Sequence, residues 1–267
     1  MISGTTRYAA VLGYPIEHSR SPALHNAGFA ALNIDAVMIP LAAAPADLPT
    51  VVRALAATAC VGASVTTPHK HAVMACCDEL SAAAQKIGAV NCLAFVDGRV
   101  IGHNTDGDGF ADALRAAQIR LRGKRTLLLG GGGAARAIAY GVRDGGAVEV
   151  IARRASDVTW APAWPWTLDH LRDAFARADI VVDCTSTALA GGTDEATFVD
   201  GLPMDALRTS TVIASLTYHR EPLLLARARA RGLVVLDGRG MLLHQGLRAF
   251  ALWTGESAPV EAMGTAL

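Results

Sequence analysis

Four consecutive glycines, Gly130-Gly131-Gly132-Gly133, leave few folds open to this chain. They follow Arg125–Leu129, an apolar run that reads as a buried strand, and precede a helical pattern from Ala134 to about Arg143. Strand, glycine turn and helix in that order put Gly130-x-Gly132-x-x-Ala135 in the setting of a dinucleotide-binding fingerprint. Gly130 permits the tight turn, Gly132 lets the backbone approach a pyrophosphate, and Ala135 is small enough for helix and strand to pack. The helix start offers free N–H groups and a partial positive charge to the phosphates. A glycine-rich turn without a ligand is the plainer alternative, and the flanking strand and helix favour the fingerprint.

The next strand ends Val150-Ile151-Ala152-Arg153-Arg154. An NAD site ordinarily carries Asp or Glu at this point, for the ribose hydroxyls. Here two guanidinium groups follow, and Arg binds a 2′-phosphate through charge-assisted hydrogen bonds. NADP is therefore expected in preference to NAD, with Asp157 close enough to weaken the phosphate site.

Short apolar runs alternate with helical patterns along the whole chain, which predicts an α/β fold. Strands are expected at Tyr8–Leu12, Ala36–Leu41 and Gly62–Val65, and a tight hairpin at Asn91–Val96 and Arg99–His103 around Asp97-Gly98. Ala147–Ile151, Ile180–Asp183, Val212–Ser215 and Val234–Leu236 read as buried parallel strands, and Gly240–Trp253 as a long helix. Ala155–Pro165 reads as a loop. With 267 residues the chain has room for two modest domains.

Hydrophobic residues make up 52% of the chain, which excludes a disordered one. Lys+Arg 24 balance Asp+Glu 24, which argues against nucleic acid or an anionic membrane as the main partner. No secretory leader and no membrane span are expected, and five cysteines without a CxxC pair suit a reducing cytoplasm.

Polar clusters stand at the ends of the first-half strands: His18–Pro22, Ser64–Lys70, Gly88–Asn91 and Gly102–Gly107. Their hydroxyls, amide, ammonium and carboxylate suit a small polyhydroxylated ligand. Lys70 and Asp106 are the reactive candidates. The residue types alone allow either a proton-handling pair or a structural ion pair. The histidines lack a convincing HExxH or HxH ligand set, so no metal is expected. His69 and His103 flank the reactive candidates as substrate contacts or as lining.

In this order, HSRSPALHN (His18–Asn26), VTTPHK (Val65–Lys70), GAVN (Gly88–Asn91), NTDG (Asn104–Gly107), GGGGAAR (Gly130–Arg136) and GRGMLLHQG (Gly238–Gly246) resemble the shikimate dehydrogenase family over nearly the whole chain. The resemblance implies reversible, NADPH-dependent reduction of 3-dehydroshikimate to shikimate, a step of the shikimate pathway of aromatic amino acid biosynthesis. It implies an N-terminal α/β substrate domain and a C-terminal Rossmann-type doubly wound NADP domain, with the active site in the cleft between them. The expected domains are 1–106, completed by 240–267, and 107–239. Lys70 and Asp106 become the catalytic pair, Asp106 orienting Lys70. Ser19, Ser21, Ser64, Thr66, Asn91, Tyr218 and Gln245 become the substrate set. Gly130, Gly131, Gly132, Gly133 and Ala134 lie on the pyrophosphate, Arg153 with Arg154 near the 2′-phosphate, and Thr185, Leu216 and Gly238 along the cofactor.

Three departures stand out. Ser64 replaces the family's usual Asn, Cys92 its frequent Thr, and an arginine common a few positions after Arg153 is absent. They open a second reading, a dehydrogenase of quinate or a related cyclic hydroxy acid. A third, of another class, is a catalytically idle NADP(H) or metabolite sensor on the same scaffold. A monomer or homodimer is expected.

Overall fold

The structure is a computed structural model that describes residues 2–187 and 194–267. The chain divides into two compact units, residues 1–105 with 243–267, and residues 106–242.

The first unit opens with strand β1 (Arg7–Gly13), helix α1 (Ser21–Ala31), β2 (Ala36–Ala42), α2 (Leu48–Ala56) and β3 (Cys60–Val65). It continues through β4 (Glu79–Leu80), α3 (Ala82–Ile87), β5 (Cys92–Val96) and β6 (Arg99–His103). The six strands form one sheet in the order β2-β1-β3-β5-β6-β4. β1 lies parallel to β2 and β3, whereas β5 runs antiparallel to both β3 and β6. The turn between β5 and β6 is Asp97-Gly98, both at positive φ (51° and 74°), the hairpin geometry whose twist matches the strands. Pro22 in the first turn of α1 and the Ser81 hydroxyl, which accepts the Ala84 N–H, start two of the helices.

The second unit runs α4 (Asp106–Ala116), β7 (Thr126–Leu129), α5 (Gly133–Gly141), β8 (Val148–Ala152), β9 (Ala163–Pro165), α6 (Leu168–Arg177) and β10 (Ile180–Asp183). Then come α7 (Asp194–Asp200), β11 (Val212–Ser215), α8 (Leu223–Ala230) and β12 (Val234–Leu236). The strands are all parallel in the order β12-β11-β10-β7-β8-β9. Numbered from β7, that is the doubly wound dinucleotide-binding order, with its switch point between β7 and β10. Leu127, Leu129, Val181 and Ile213 pack toward α6 and α8, and Leu128, Val150, Val182 and Ala214 toward α4 and α5. Helices on both faces explain why these strands carry apolar residues on both sides of the sheet.

Two helices end the chain, α9 (Gly238–Thr254) and α10 (Val260–Thr265), and the division between units crosses α9 after Leu242. Ala249, Phe250 and Trp253 join Ala9, Val11, Leu24 and Phe29 on one face of the first sheet, while Ala10, Leu12, Ala63 and Val65 face α2 and α3. The alternation along β1 is the period of a strand buried on both sides.

One sequence expectation is corrected here. The stretch 155–165 is not all loop: Ala163–Pro165 pairs with Val150–Ala152 as the sheet's outer strand. Pro162 and Pro165 hide this strand in the sequence, yet an edge strand tolerates residues that cannot donate on its open side. The Pro162 carbonyl accepts the Val150 N–H at 2.9 Å. Among the described residues no helix is long and apolar enough to cross a membrane.

Candidate active site

In the first unit three of the polar clusters, 64–70, 88–91 and 102–107, meet at the ends of β3 and β6. Gly13 lets β1 approach Thr66, since a Cβ there would lie 2.6 Å from Thr66 Cγ2. The Thr66 N–H continues the ladder to Leu12 O at 2.9 Å. α3 ends at Gly88 in the left-handed conformation (φ 71°), which turns the chain into Ala89-Val90-Asn91. The Val90 N–H donates to the Lys70 carbonyl at 2.7 Å and the Asn91 N–H to His103 O at 3.0 Å.

Asn91 is buried and holds this cluster together. Its Nδ2 donates to Thr105 Oγ1 (3.0 Å) and to Gln245 Oε1 (3.3 Å), and its Oδ1 accepts the Thr105 N–H at 2.8 Å. Asn104 Nδ2 donates to Ala89 O at 3.0 Å. At the start of α1 the Ser21 N–H donates to Ser19 Oγ at 3.3 Å. Ser64 lies opposite Cys92 in the β3–β5 ladder, is 7% exposed, and its buried hydroxyl has no hydrogen-bond partner. An unmet buried hydroxyl is a group available to a ligand.

In the second unit the glycine run lies at the sheet's switch point. Gly130 has φ +96°, a region that favours glycine, and a Cβ there would sit 3.3 Å from Thr185 Cγ2. A Cβ on Gly132 or Gly133 would meet nothing within 4 Å, so the start of α5 is open, and no side chain caps it. Ala135 is fully buried against the sheet. These features fit a dinucleotide diphosphate: free N–H groups, an open approach and a helix dipole of the right sign.

Arg153 and Arg154 follow β8, both exposed. Arg154 Nε pairs with Asp157 at 3.3 Å, whereas Arg153 makes no ion pair among the described residues. Beside the glycine turn, burial pushes the Asp183 carboxyl above the usual carboxylate range, opposed by hydrogen bonds from the Thr185 hydroxyl (2.7 Å) and N–H (2.9 Å). Gly238 abuts the Leu216 and Thr217 backbone, and its N–H donates to Thr217 O at 3.0 Å.

Residues 11–93 match the model of the shikimate dehydrogenase substrate binding domain, and residues 238–267 that of the shikimate 5′-dehydrogenase C-terminal domain. A shikimate dehydrogenase (NADP(+)) of Acidiphilium cryptum is 41% identical over 269 residues, 98% of this chain and 95% of the relative. This chain belongs to the shikimate dehydrogenase family.

Among solved members of the family, the Thermus thermophilus shikimate 5-dehydrogenase in complex with NADP(H) and shikimate is 33% identical, covers 98% of both chains and superposes with a TM-score of 0.86. The ligand-free 5-ketofructose reductase of a Gluconobacter strain is also similar, at 29% identity, 99% and 98% coverage and a TM-score of 0.83.

The first unit of this family member brings Asn91 and Gln245 together, and Ser19 with Ser21. The second brings Gly130 to Thr185 and Leu216 to Gly238. Lys70, half-buried, belongs to the first unit; Asp106, 8% exposed, is the first residue of α4 in the second. Tyr218 also belongs to the second unit and packs on His219 with ring centroids 4.0 Å apart. His69 is spent on the fold, its Nε2 bonded to Ala43 O at 2.8 Å. His103 is half-buried, and burial lowers its pKa from the usual imidazole value. Thr105, which fixes the Asn91 amide, had no assigned role in the sequence. Its position in Asn104-Thr105-Asp106 was the available signal. Among the described residues no group of three or more His, Cys, Asp or Glu could hold a metal ion.

Proposed function

We propose that this chain is an NADP-dependent shikimate dehydrogenase that interconverts 3-dehydroshikimate and shikimate. The observation that carries this reading is the buried hydrogen-bond net of Asn91, Thr105 and Gln245, next to Val90, whose N–H bonds the Lys70 carbonyl. The family relatives named as NADP(+) enzymes, and the Thermus structure holding NADP(H) and shikimate, support it.

Most of the substrate set belongs to the first unit, and the dinucleotide set to the second. Ser19, Ser21, Ser64, Thr66, Asn91, Tyr218 and Gln245 bind the ring hydroxyls and carboxylate. Lys70 Nζ takes the proton of the reacting hydroxyl during oxidation and returns it during reduction. Asp106 completes the proposed catalytic pair. A positioned group of this kind contributes about 10²–10⁴-fold to the rate. Gly130–Ala134 hold the diphosphate, Arg153 the 2′-phosphate, and Thr185, Leu216 and Gly238 line the cofactor. Bound NADP supplies the hydride acceptor and, when reduced, the hydride donor. All five cysteines are free, which suits a cytoplasmic enzyme.

A second reading keeps the chemistry and changes the substrate to quinate or a related cyclic hydroxy acid. The unpartnered Ser64 hydroxyl favours it, because a hydroxyl replaces the family's usual amide at a buried site. The likeness to a 5-ketofructose reductase adds that this fold also serves another ketone. Reduced-nicotinamide absorbance, followed with shikimate and quinate against NADP+ and NAD+ at alkaline pH, tests both. The highest kcat/KM is expected for shikimate with NADP+. A higher value for quinate selects the second reading, and no turnover with either rejects both.

A further inference from the structure

We propose that Arg136 is an additional ligand of the dinucleotide, binding the diphosphate that NADP and NAD share. The proposal rests on the reading that this chain binds a nicotinamide dinucleotide. Arg136 is the one arginine among the described residues with a buried side-chain nitrogen, Nε, that has no hydrogen-bond partner. Its guanidinium makes no ion pair among the described residues, whereas Arg143, Arg177 and Arg220 of the same unit each meet a carboxylate.

Its place on the helix sharpens the point. Arg136 lies in the first turn of α5, and its own N–H closes onto Gly132 O at 3.1 Å. A cation there stands against the helix dipole, whose positive end is the N-terminus. An anion brought to the same turn satisfies the guanidinium and the free N–H groups together. At about 100° per residue, Ala135 and Ile138 face the sheet while Ala137 and Gly141 face Gly107 of α4. Arg136 falls outside both packed faces, on a helix whose start is open at Gly132 and Gly133. The planar guanidinium matches phosphate oxygens two at a time. Arg153 would read a phosphate that only NADP carries; Arg136 would bind one common to both dinucleotides and so would not discriminate.

The test is titration calorimetry of the full chain with NADP+ and with NAD+, for wild type, Arg136→Met and Arg136→Gln, beside thermal melts without ligand. Both variants are expected to weaken both dinucleotides about 10- to 100-fold, the range for hydrogen bonds to a charged group. The NADP+ to NAD+ ratio should stay constant, and the salt dependence of binding should flatten. The ligand-free Tm should not fall, because the free protein loses no hydrogen bond or ion pair. Arg136→Gln keeps an N–H donor and serves if Arg136→Met does not fold. Unchanged affinities, a loss confined to NADP+, or a lower ligand-free Tm in both variants would each overturn the proposal. Wild type that binds neither dinucleotide fails at the earlier step, the dinucleotide reading itself, and takes the proposal with it.

Discussion

Asn91 and Gln245 stand 154 positions apart in the chain, and their side chains meet: Asn91 Nδ2 donates to Gln245 Oε1 at 3.3 Å. The same Asn91 amide grips Thr105 through both its oxygen and its nitrogen. One buried side chain thus ties the turn after α3, the end of β6 and the α9 helix into a single surface.

Asn91→Leu leaves the Thr105 N–H and the Gln245 amide without their partner. The expected loss of stability is about 1–3 kcal/mol, the penalty of an unmet buried polar group. KM for shikimate should rise at least about tenfold, with KM for NADP+ unchanged. Denaturant midpoints and steady-state kinetics check the two effects separately.

Gly246→Ala tests how α1 and α9 set the proposed substrate groups. A Cβ at Gly246 runs into the Leu24 side chain and comes within 3.6 Å of His25 Nε2. Overpacking of this kind costs about 1–3 kcal/mol. Ser21 rides on α1 and Gln245 on α9, so KM for shikimate should rise while the affinity for NADP+ stays put. Equal stability and equal KM would show that the two helices adjust freely.

His25 makes a pH dependence. It is fully buried among Phe29, Phe250 and Trp253, neither ring nitrogen has a hydrogen-bond partner, and burial lowers its pKa to about 3. The neutral ring is held in the fold, while the unfolded chain takes up a proton below about pH 6.5. Above that pH there is no penalty; as pH falls toward 3, stability is lost. At pH 5 the loss from this group is about 2 kcal/mol. His25→Leu should flatten the decline, measured as the change in urea midpoint between pH 7.5 and 5. An identical decline in both proteins would remove His25 as its cause.

In the proposed reading, cofactor choice turns on the loop after β8. Asp157 occupies Arg154 at 3.3 Å, and the two side chains are 61% and 85% exposed. An exposed pair of this kind is worth about 0.2–1 kcal/mol. Asp157→Asn should therefore tighten NADP+ only about two- to fivefold and leave NAD+ alone. Arg153→Gln should weaken NADP+ about 10- to 100-fold, again sparing NAD+. Calorimetric dissociation constants for both dinucleotides read this directly; parallel losses would move Arg153 away from the 2′-phosphate.

Much of this was legible in the sequence. Ile180–Asp183, Val212–Ser215 and Val234–Leu236 are strands at the bounds their apolar runs predicted; the first two are covered on both faces and show no polar alternation to blur them. The Asp97-Gly98 hairpin and the glycine turn were fixed by backbone conformations that few residues adopt. β9 was hidden, since two prolines speak against a strand and only its place at the sheet edge makes them harmless. α6 also went unread, although Thr167 caps it through the His170 N–H and Leu171, Ala174 and Phe175 recur at helical spacing. The polar candidates were visible, but their grouping was not. Asn91 and Gln245 carry no local signal for each other, and the unmet hydroxyl of Ser64 and nitrogen of Arg136 exist only once neighbours are in place.

The most direct test of the account is oxidation of shikimate by NADP+ with wild type and Lys70→Ala side by side. Wild type should turn over shikimate, and the variant's kcat should fall about 10²–10⁴-fold with dinucleotide affinity and Tm held. A variant that turns over shikimate at a near wild-type rate would contradict the role given to Lys70 as the group that moves the hydroxyl proton.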